Sequence, residues 1–468
     1  MIVRQGEKAA IELFNTLGRK KEIFEPIKAG HVSVYTCGPT VYDYVTIGNL
    51  RSYVFADTLR RTLEYAGYKV KQVMNITDFG HLTSDADEGE DKMTVGLKRE
   101  GMAPTMENMH TLATRYIDAF RENLEAMNIE PPTTMPRASE HVRPMIAYVH
   151  ALLEKGYAYT TSDGIYFDVG KFPSYGILGG AASLDHSRIG INPEKHDPRD
   201  FTLWKFNEKL GWDAPWGHGF PGWHIECTAM STEYLGKSFD IHTGGIDHIA
   251  VHHNNEIAQA EAANNRTYVR YWLHHEFITI DAQRIGKSVG NAITLAQLQD
   301  RGVSPLAYRY WLLTGHYRSP MNFTWEAVEA AQTARDRALK IFANLTGAGP
   351  IDAGYKKKFN TAIYDDLGTP AAIAVMWELL KDEKIAPGVK RATLLMFDTV
   401  LGIGFNIASA KREEAIAFPD DIHALVDERE AARATKDFAK SDALRAEIEG
   451  RGYSLEDTEK GPILKQYE

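Results

Sequence analysis

The sequence predicts an α/β protein built on a doubly wound parallel sheet, interrupted by an insertion and followed by a helical C-terminal part. Three stretches carry that prediction. Residues 31–49, HVSVYTCGPTVYDYVTIGN, alternate as a strand at Val32, Val34 and Thr36, break at Cys37, Gly38 and Pro39, and end in a Gly-Asn turn. Residues 50–66 then place Val54, Leu59 and Leu63 at helical spacing, and KVKQVMNITD (69–78) returns as a strand after Gly67, completing one βαβ unit. Near residue 239 the sheet resumes with SFDIHTGGIDHIAVHHNNEIAQAEAA, where a short strand ends at Gly244-Gly245 and a helix starts soon after.

Residues 10–36 read as short strands around a Gly-Arg-Lys-Lys turn, and the acid-rich 81–103 as a loop at the mouth of the sheet. Helical patterns occupy 105–127 and 139–155, separated by the linker PPTTMPR (131–137). After Gly156, AYTTSDGIYFDV reads as a hairpin turning at Asp163-Gly164, while 170–221 is rich in Gly, Pro and Trp and keeps no steady period. The interval 129–221 is therefore read as an insertion. From 305 onward, amphipathic runs at 326–345, 355–382, 388–402, 421–435 and 438–450 predict helices, and the closing GYSLEDTEKGPILKQ is polar and turn-rich.

At 468 residues the chain exceeds a single core, so several domains are expected. Its net charge of −10 argues against indiscriminate nucleic-acid binding, which needs clustered Lys and Arg, but leaves room for a local basic surface. No apolar run reaches the roughly 18 residues of a membrane span. The N-terminal MIVRQGEKAA lacks the apolar core of a signal peptide, so a cytoplasmic protein without a membrane partner is expected. Only two cysteines occur, Cys37 and Cys227, in no CxxC pair; they read either as buried thiols or as metal ligands.

Several constellations offer chemistry. The strand–loop–helix junction after Cys37 points unpaired backbone N–H groups and a helix dipole above the sheet, as phosphate sites do. His252 and Glu256, four apart on one helix face, reach one ion together, and the two thiols would complete a tetrahedral zinc set; the same spacing also describes an ion-paired helix face. Gly244, Gly245 and Asp247 lie just past a strand, where Gly-Gly permits close backbone approach and Asp247 suits an ammonium group or a ribose hydroxyl. RIGKS (284–288) sets Lys287 and Ser288 on a small loop suited to neutralising polyphosphate charge.

Taken together, these segments resemble the cysteinyl-tRNA synthetases, a class I aminoacyl-tRNA ligase family. CGPTVYDYVTIGN, NITD, RASEH, NPEKHDPRDFTLWK, GWHIECTAMS, DIHTGGIDHIAVHHNNEIAQAE and GKSVGN have counterparts in the family's order, and the likeness extends through KSDALRAEIEGRGYSLEDT. The resemblance implies a Rossmann-like catalytic domain split into 1–128 and 222–280 by a connective insertion at 129–221. Beyond it would come a KMSKS-like loop and stem-contact region (281–345), a tRNA-binding helical bundle (346–410) and an anticodon-binding region (411–468).

It further implies that Cys37, Cys227, His252 and Glu256 bind one zinc ion, which also takes the thiolate of L-cysteine. Thr77, Trp223, His242 and Asp247 would line the amino-acid pocket. Thr40, Thr46, Gly48, Asn49, Gly244 and Lys287 would form the ATP site, with Thr46, Asn49, Lys287 and Ser288 acting in catalysis. The implied reaction is attack of the cysteine carboxylate on the α-phosphate of Mg²⁺-ATP, then transfer to the terminal ribose of tRNA(Cys), by a monomeric enzyme. The chain departs from the family's motifs at Thr46, where the HIGH-type turn opens with His. It departs again in RIGKS, which has Arg284 and Gly286 for the first Lys and Ser of KMSKS. Those departures motivate a second reading, a slowed or non-catalytic tRNA-binding paralogue; a third, a cysteine ligase with a small-amine acceptor, would leave the helical residues 345–468 idle.

Overall fold

The computed structural model describes residues 10–82, 89–180, 192–280, 283–284, 291–416, 419–458 and 461–466. The chain divides into two compact units, Met1–Ile403 and Gly404–Glu468.

The first unit opens with an antiparallel hairpin, β1 (Glu12–Asn15) and β2 (Lys20–Ile23). β3 (His31–Thr36), α1 (Ile47–Tyr65) and β4 (Lys69–Met74) form the expected βαβ unit. α2 (Lys92–Arg99), α3 (Met106–Ala126) and α4 (Val142–Glu154) come next. They lead into a four-stranded antiparallel sheet of β5 (Ala158–Thr160), β6 (Gly164–Phe167), β7 (Phe201–Phe206) and β8 (Gly219–Pro221). The chain returns through α5 (Trp223–Leu235), β9 (Phe239–Gly245), the short α6 (Asp247–Ala250), α7 (His252–Asn264) and β10 (Val269–His275).

The central sheet is parallel, in the order β10-β9-β3-β4. Its strands grow outward from β3 to β4, and the chain then crosses back to lay β9 on the other side of β3. The carboxyl ends of β3 and β9 therefore diverge, and open α/β sheets bind their ligands in the crevice so formed. Register aligns Thr36 with Thr243, so Cys37 leaves the sheet beside Gly244, with its N–H donated to the Thr243 carbonyl at 3.2 Å. Tyr35, Phe239, Ile225, Met230, Trp204 and Trp272 fill the core beneath that edge.

β11 (Ile278–Ile280) pairs with β12 (Gln283–Arg284) and β13 (Met321–Phe323), with α8 (Leu295–Asp300) and α9 (Pro305–Thr314) between the latter two. α10 (Trp325–Ala343), α11 (Ala353–Tyr364), α12 (Thr369–Lys381) and α13 (Pro387–Leu401) complete the first unit. The second unit consists of α14 (Phe405–Ile416), α15 (Asp420–Ala434), α16 (Phe438–Gly450) and a hairpin of β14 (Tyr453–Thr458) and β15 (Gly461–Gln466).

Four local expectations are corrected. The acid-rich 81–103 is not all loop: Asp91 caps α2, accepting from the N–H groups of Met93 and Thr94. The aperiodic 170–221 contains β7, whose first four residues are all buried and so do not alternate, and β8, which has only three residues. The run 355–382 is two helices, because Asp366 and Leu367 take positive φ angles of 54° and 55°. There the Asp366 carboxylate accepts from Phe14 N, Tyr317 Oη and Arg318 Nε at 2.6–2.8 Å, bonds that offset the 1–3 kcal/mol or so of backbone strain. The polar tail is the β14–β15 hairpin.

Arg51 ties α1 to the segments around β11 and β13. It is buried and donates to four carbonyls, those of Phe277 and Ser319 at 2.6 Å and of His316 and Tyr317 at 3.2 Å. Arg51→Met leaves these acceptors desolvated, and we expect a loss of roughly 3 kcal/mol in unfolding free energy by denaturant titration. A loss below about 1 kcal/mol would contradict the role given to this side chain.

Candidate active site

Three elements meet at the carboxyl edge of the sheet. Cys37 follows β3, Cys227 sits in the first turns of α5, and His252 and Glu256 share one face of α7. One ligand atom from each of these four residues lies within 4.8 Å of all the others. Cys37, His242, His253 and Glu256 form a second, overlapping group within the same distance.

Glu256 is fully buried and its ion-pair partners among the described residues are histidines: His242 at 3.0 Å, His252 at 3.1 Å and His253 at 3.9 Å. Tyr268 donates its hydroxyl to the same carboxylate at 3.2 Å and is itself held by Ser231 at 2.5 Å. An outer layer of imidazoles orients the inner one. His224 meets His252 at 2.8 Å, and His274 meets His253 at 2.7 Å, while His253 Nε2 lies 3.4 Å from the Cys37 sulfur.

The electrostatics describe a site that needs positive charge. Burial disfavours a charged Glu256, yet His242 and His252 overcome it and bring the carboxyl to about 2. Burial likewise opposes a charged His252, but Cys37 and Glu256 raise it to about 10. Cys37 would be raised by burial; the hydrogen bond from Cys227 and the fields of His248 and His253 instead bring it well below the ordinary thiol range. Burial and the neighbouring Cys37 push Cys227 the other way. Two sulfurs, an imidazole nitrogen and a carboxylate oxygen are the donor types zinc takes, so these residues fit such an ion. Bound there, a dication would supply the positive charge that Cys37 and Glu256 favour at His252.

The other expected pocket residues fall around this cluster. Trp223 opens α5 with its indole between two imidazoles, His81 at 3.9 Å and a 10° tilt and His252 at 4.1 Å. Thr77 donates to Glu226 at 2.8 Å and accepts from Asn75 at 3.1 Å. His242 is fully buried against Trp272 and turned to Glu256, so it belongs to the carboxylate's support. Asp247 begins α6 one residue after β9 ends at Gly244-Gly245. A Cβ on Gly244 would come within 2.6 Å of the His248 and His253 rings, so that position needs glycine, whereas one on Gly245 would meet only the movable Asp247 carboxylate, at 2.3 Å.

Thr46, Gly48 and Asn49 start α1, apart from that cluster in sequence but at the same end of β3. Thr46 is the N-cap, and its side chain and that of Asn49 close a capping box at 2.9–3.3 Å. Ile47 N donates to the Ile293 carbonyl at 2.8 Å, and Thr46 bridges to Thr294, itself the cap of α8. The α1 turn is thus tied to the segment following residues 285–290. Gly286, Lys287 and Ser288 lie outside the described residues. Thr40 half-faces the crevice, paired by its backbone with Thr77.

Sequence reasoning missed the histidine layer, Tyr268, Glu226, His81 and Lys92. A signal was present: His242, His248, His252, His253, His274 and His275 fall within one short interval.

Residues 23–333 match the family model described as "tRNA synthetases class I (C) catalytic domain", and residues 416–462 match the "Cysteinyl-tRNA ligase anticodon binding domain". Fold and site together therefore define a class I aminoacyl-tRNA synthetase. The fold is shared with solved structures of low identity. Mycobacterium tuberculosis methionyl-tRNA synthetase bound by methionyl-adenylate has a TM-score of 0.57 at 14% identity, covering 81% of this chain and 93% of that one. The Agrobacterium radiobacter K84 agnB2 LeuRS–tRNA–LeuAMS complex has a TM-score of 0.60 at 11%, covering 82% and 85%. Among relatives, "Cysteine--tRNA ligase 1" of Burkholderia lata is 46% identical over 97% of this chain and 96% of its own length. "Cysteine--tRNA ligase" of Thermus thermophilus is 42% identical over 96% and 98%. The chain belongs to the cysteinyl-tRNA ligase family.

Thr46 stands where the family's turn usually has His, and here it caps a helix. Thr46→His removes the side-chain acceptor from Asn49 N–H, and we expect it to lower unfolding free energy by about 1 kcal/mol. Unchanged stability would contradict the capping role.

Proposed function

We propose that this chain ligates L-cysteine to tRNA(Cys) in two steps, activating the amino acid with Mg²⁺-ATP and passing it from the adenylate to the terminal ribose. The observation that carries this reading is the convergence of Cys37, Cys227, His252 and Glu256 within 4.8 Å, at the sheet edge where ligands of this fold lie, in a chain of the cysteinyl-tRNA ligase family. A zinc ion held by those four residues supplies a soft Lewis-acid position for the substrate's thiolate, whose parent pKa of about 8.5 is low enough to ionise there. Serine's hydroxyl does not ionise comparably, so selection needs no second editing step.

The chain's own residues do the rest. Trp223, clamped between two imidazoles, walls the amino-acid side of the crevice and excludes water. Asp247, held at the Gly244-Gly245 turn, faces the substrate ammonium. Thr77 and Thr40, joined by a backbone bridge, would lie near the carboxylate and the nucleotide. Gly48 and Asn49 present the start of α1 to phosphate, and Lys287 and Ser288 supply the remaining charge and hydroxyl. In the first step a carboxylate oxygen bonds to the α-phosphorus as the bond to the β-bridging oxygen breaks and pyrophosphate leaves. Residues 411–468 would read the anticodon, 129–221 would form the connective insertion, and 281–345 would carry the KMSKS-like motif and touch the acceptor stem. The enzyme would act as a cytoplasmic monomer; no helix among the described residues is long and apolar enough to cross a membrane.

Charging of tRNA(Cys) by the zinc-loaded protein should proceed with labelled cysteine and fall by roughly 10⁴-fold or more with serine. Pyrophosphate exchange without charging would point to a small-amine acceptor, and absence of both to a non-catalytic tRNA binder. Cys227→Ser should lower zinc content and cysteine affinity together; full zinc occupancy with normal affinity would refute the ligand set. Tyr268→Phe, which removes a donor from Glu256, should weaken zinc retention against a chelator by about 10-fold while leaving the fold intact. Unchanged retention would show that this hydroxyl does not tune the site.

A further inference from the structure

A chain of hydrogen bonds runs from α2 to Thr40, and its first two members, Lys92 and His81, have no part in the two-step reaction as assigned. Lys92 Nζ lies 2.6 Å from His81 Nε2, and His81 Nδ1 lies 2.6 Å from Thr40 Oγ1. An ammonium donates and never accepts, so His81 Nε2 must offer a lone pair to Lys92. The ring proton then sits on Nδ1 and is donated to the Thr40 oxygen. The hydroxyl's own hydrogen is thereby directed away from His81, to another acceptor.

Every degree of freedom of this imidazole is fixed. Stacking on Trp223 at 3.9 Å and 10° sets its plane, and Lys92 sets its tautomer. Burial first, then the Lys92 charge, hold it well below the ordinary histidine range, as a neutral ring requires. Thr40 in turn is immobilised by its backbone, because Val41 N donates to the Thr77 carbonyl and Thr77 N to the Pro39 carbonyl, each at 3.0 Å. Preorganised donors of this kind lower barriers without reorganising during the reaction.

We propose that His81 and Lys92 are positioning residues for activation, holding the Thr40 hydroxyl as a hydrogen-bond donor to an anionic oxygen of the reacting pair, the cysteine carboxylate or the ATP α-phosphate. The inference rests on the cysteine-activation reading. No proton moves: the donor steadies negative charge while the carboxylate–phosphorus bond forms and pyrophosphate departs. Without Lys92 the Nε2–H tautomer becomes accessible. The Thr40 hydrogen is then drawn back to His81 Nδ1, turning a lone pair toward an anion.

The test is cysteine-dependent ATP–pyrophosphate exchange by the full-length, zinc-loaded protein and its variants, each checked for folding by circular dichroism. His81→Ala and His81→Gln, which lack a donor at the Nδ1 position, should lose about 10²-fold in kcat/KM. His81→Asn, whose amide reproduces that donor, should recover most of the loss, and Lys92→Met should matter in the wild-type background but not beside His81→Asn. Thr40→Val should be as impaired as His81→Ala, with the double variant no worse than Thr40→Val alone. A raised KM for cysteine assigns the carboxylate as acceptor, and a raised KM for ATP assigns the phosphate. Equal losses for His81→Asn and His81→Ala, or additive losses in the double variant, would overturn the proposal. Should His81→Ala not fold, the Asn and Gln pair decides on the same terms. Absence of exchange in the wild-type protein would instead refute the reading on which the proposal rests.

Discussion

The structure depends on holding Glu256 ionised in a fully buried position. A lone buried carboxylate is expensive, and here it survives because histidines from β9 and α7 and the Tyr268 hydroxyl surround it. That requirement brings the ends of β3, α5, β9 and α7 together. It also places two thiols beside a carboxylate that calls for a cation. The outer imidazoles, His224 and His274, are themselves buried, and their hydrogen bonds fix the rings nearest the donors.

The same edge serves a second purpose. The switch between β3 and β9 opens a crevice bordered on one side by the sulfur, nitrogen and oxygen donors and on the other by the capped start of α1. Because Thr46 and Ile47 are paired to Thr294 and Ile293, the start of α1 and the segment leading into α8 share one backbone anchor. Trp223 packs between the cluster and His81, stacked on His81 and tilted by 34° against His252.

Much of this was legible in the sequence. The alternation of 31–36, the helical spacing of 50–66 and the Gly-Gly turn at 244–245 encode the parallel sheet through local periodicity, which a single chain displays directly. The i, i+4 spacing of His252 and Glu256 gave half of the donor set for the same reason. That Cys37 and Cys227 join them is a tertiary fact: the sequence offered the two thiols as candidates beside a buried-thiol reading, and the family likeness favoured the ligand reading. The break between α11 and α12 was hidden because Asp366 is pulled into a left-handed backbone by partners distant in sequence. β7 escaped notice because Phe201, Thr202, Leu203 and Trp204 are all buried, which leaves no inward–outward alternation, and β8 because it has only three residues. His81 and Lys92 lay within a run whose acidic composition suggested only a loop.

Zinc K-edge X-ray absorption on the loaded protein, with and without L-cysteine, tests the central claim most directly. We expect two sulfur scatterers at about 2.3 Å in the free protein and a third when cysteine is added, with serine producing no change. A sulfur count that stays at two with cysteine bound would contradict the claim, by showing that the substrate thiolate is selected elsewhere in the crevice.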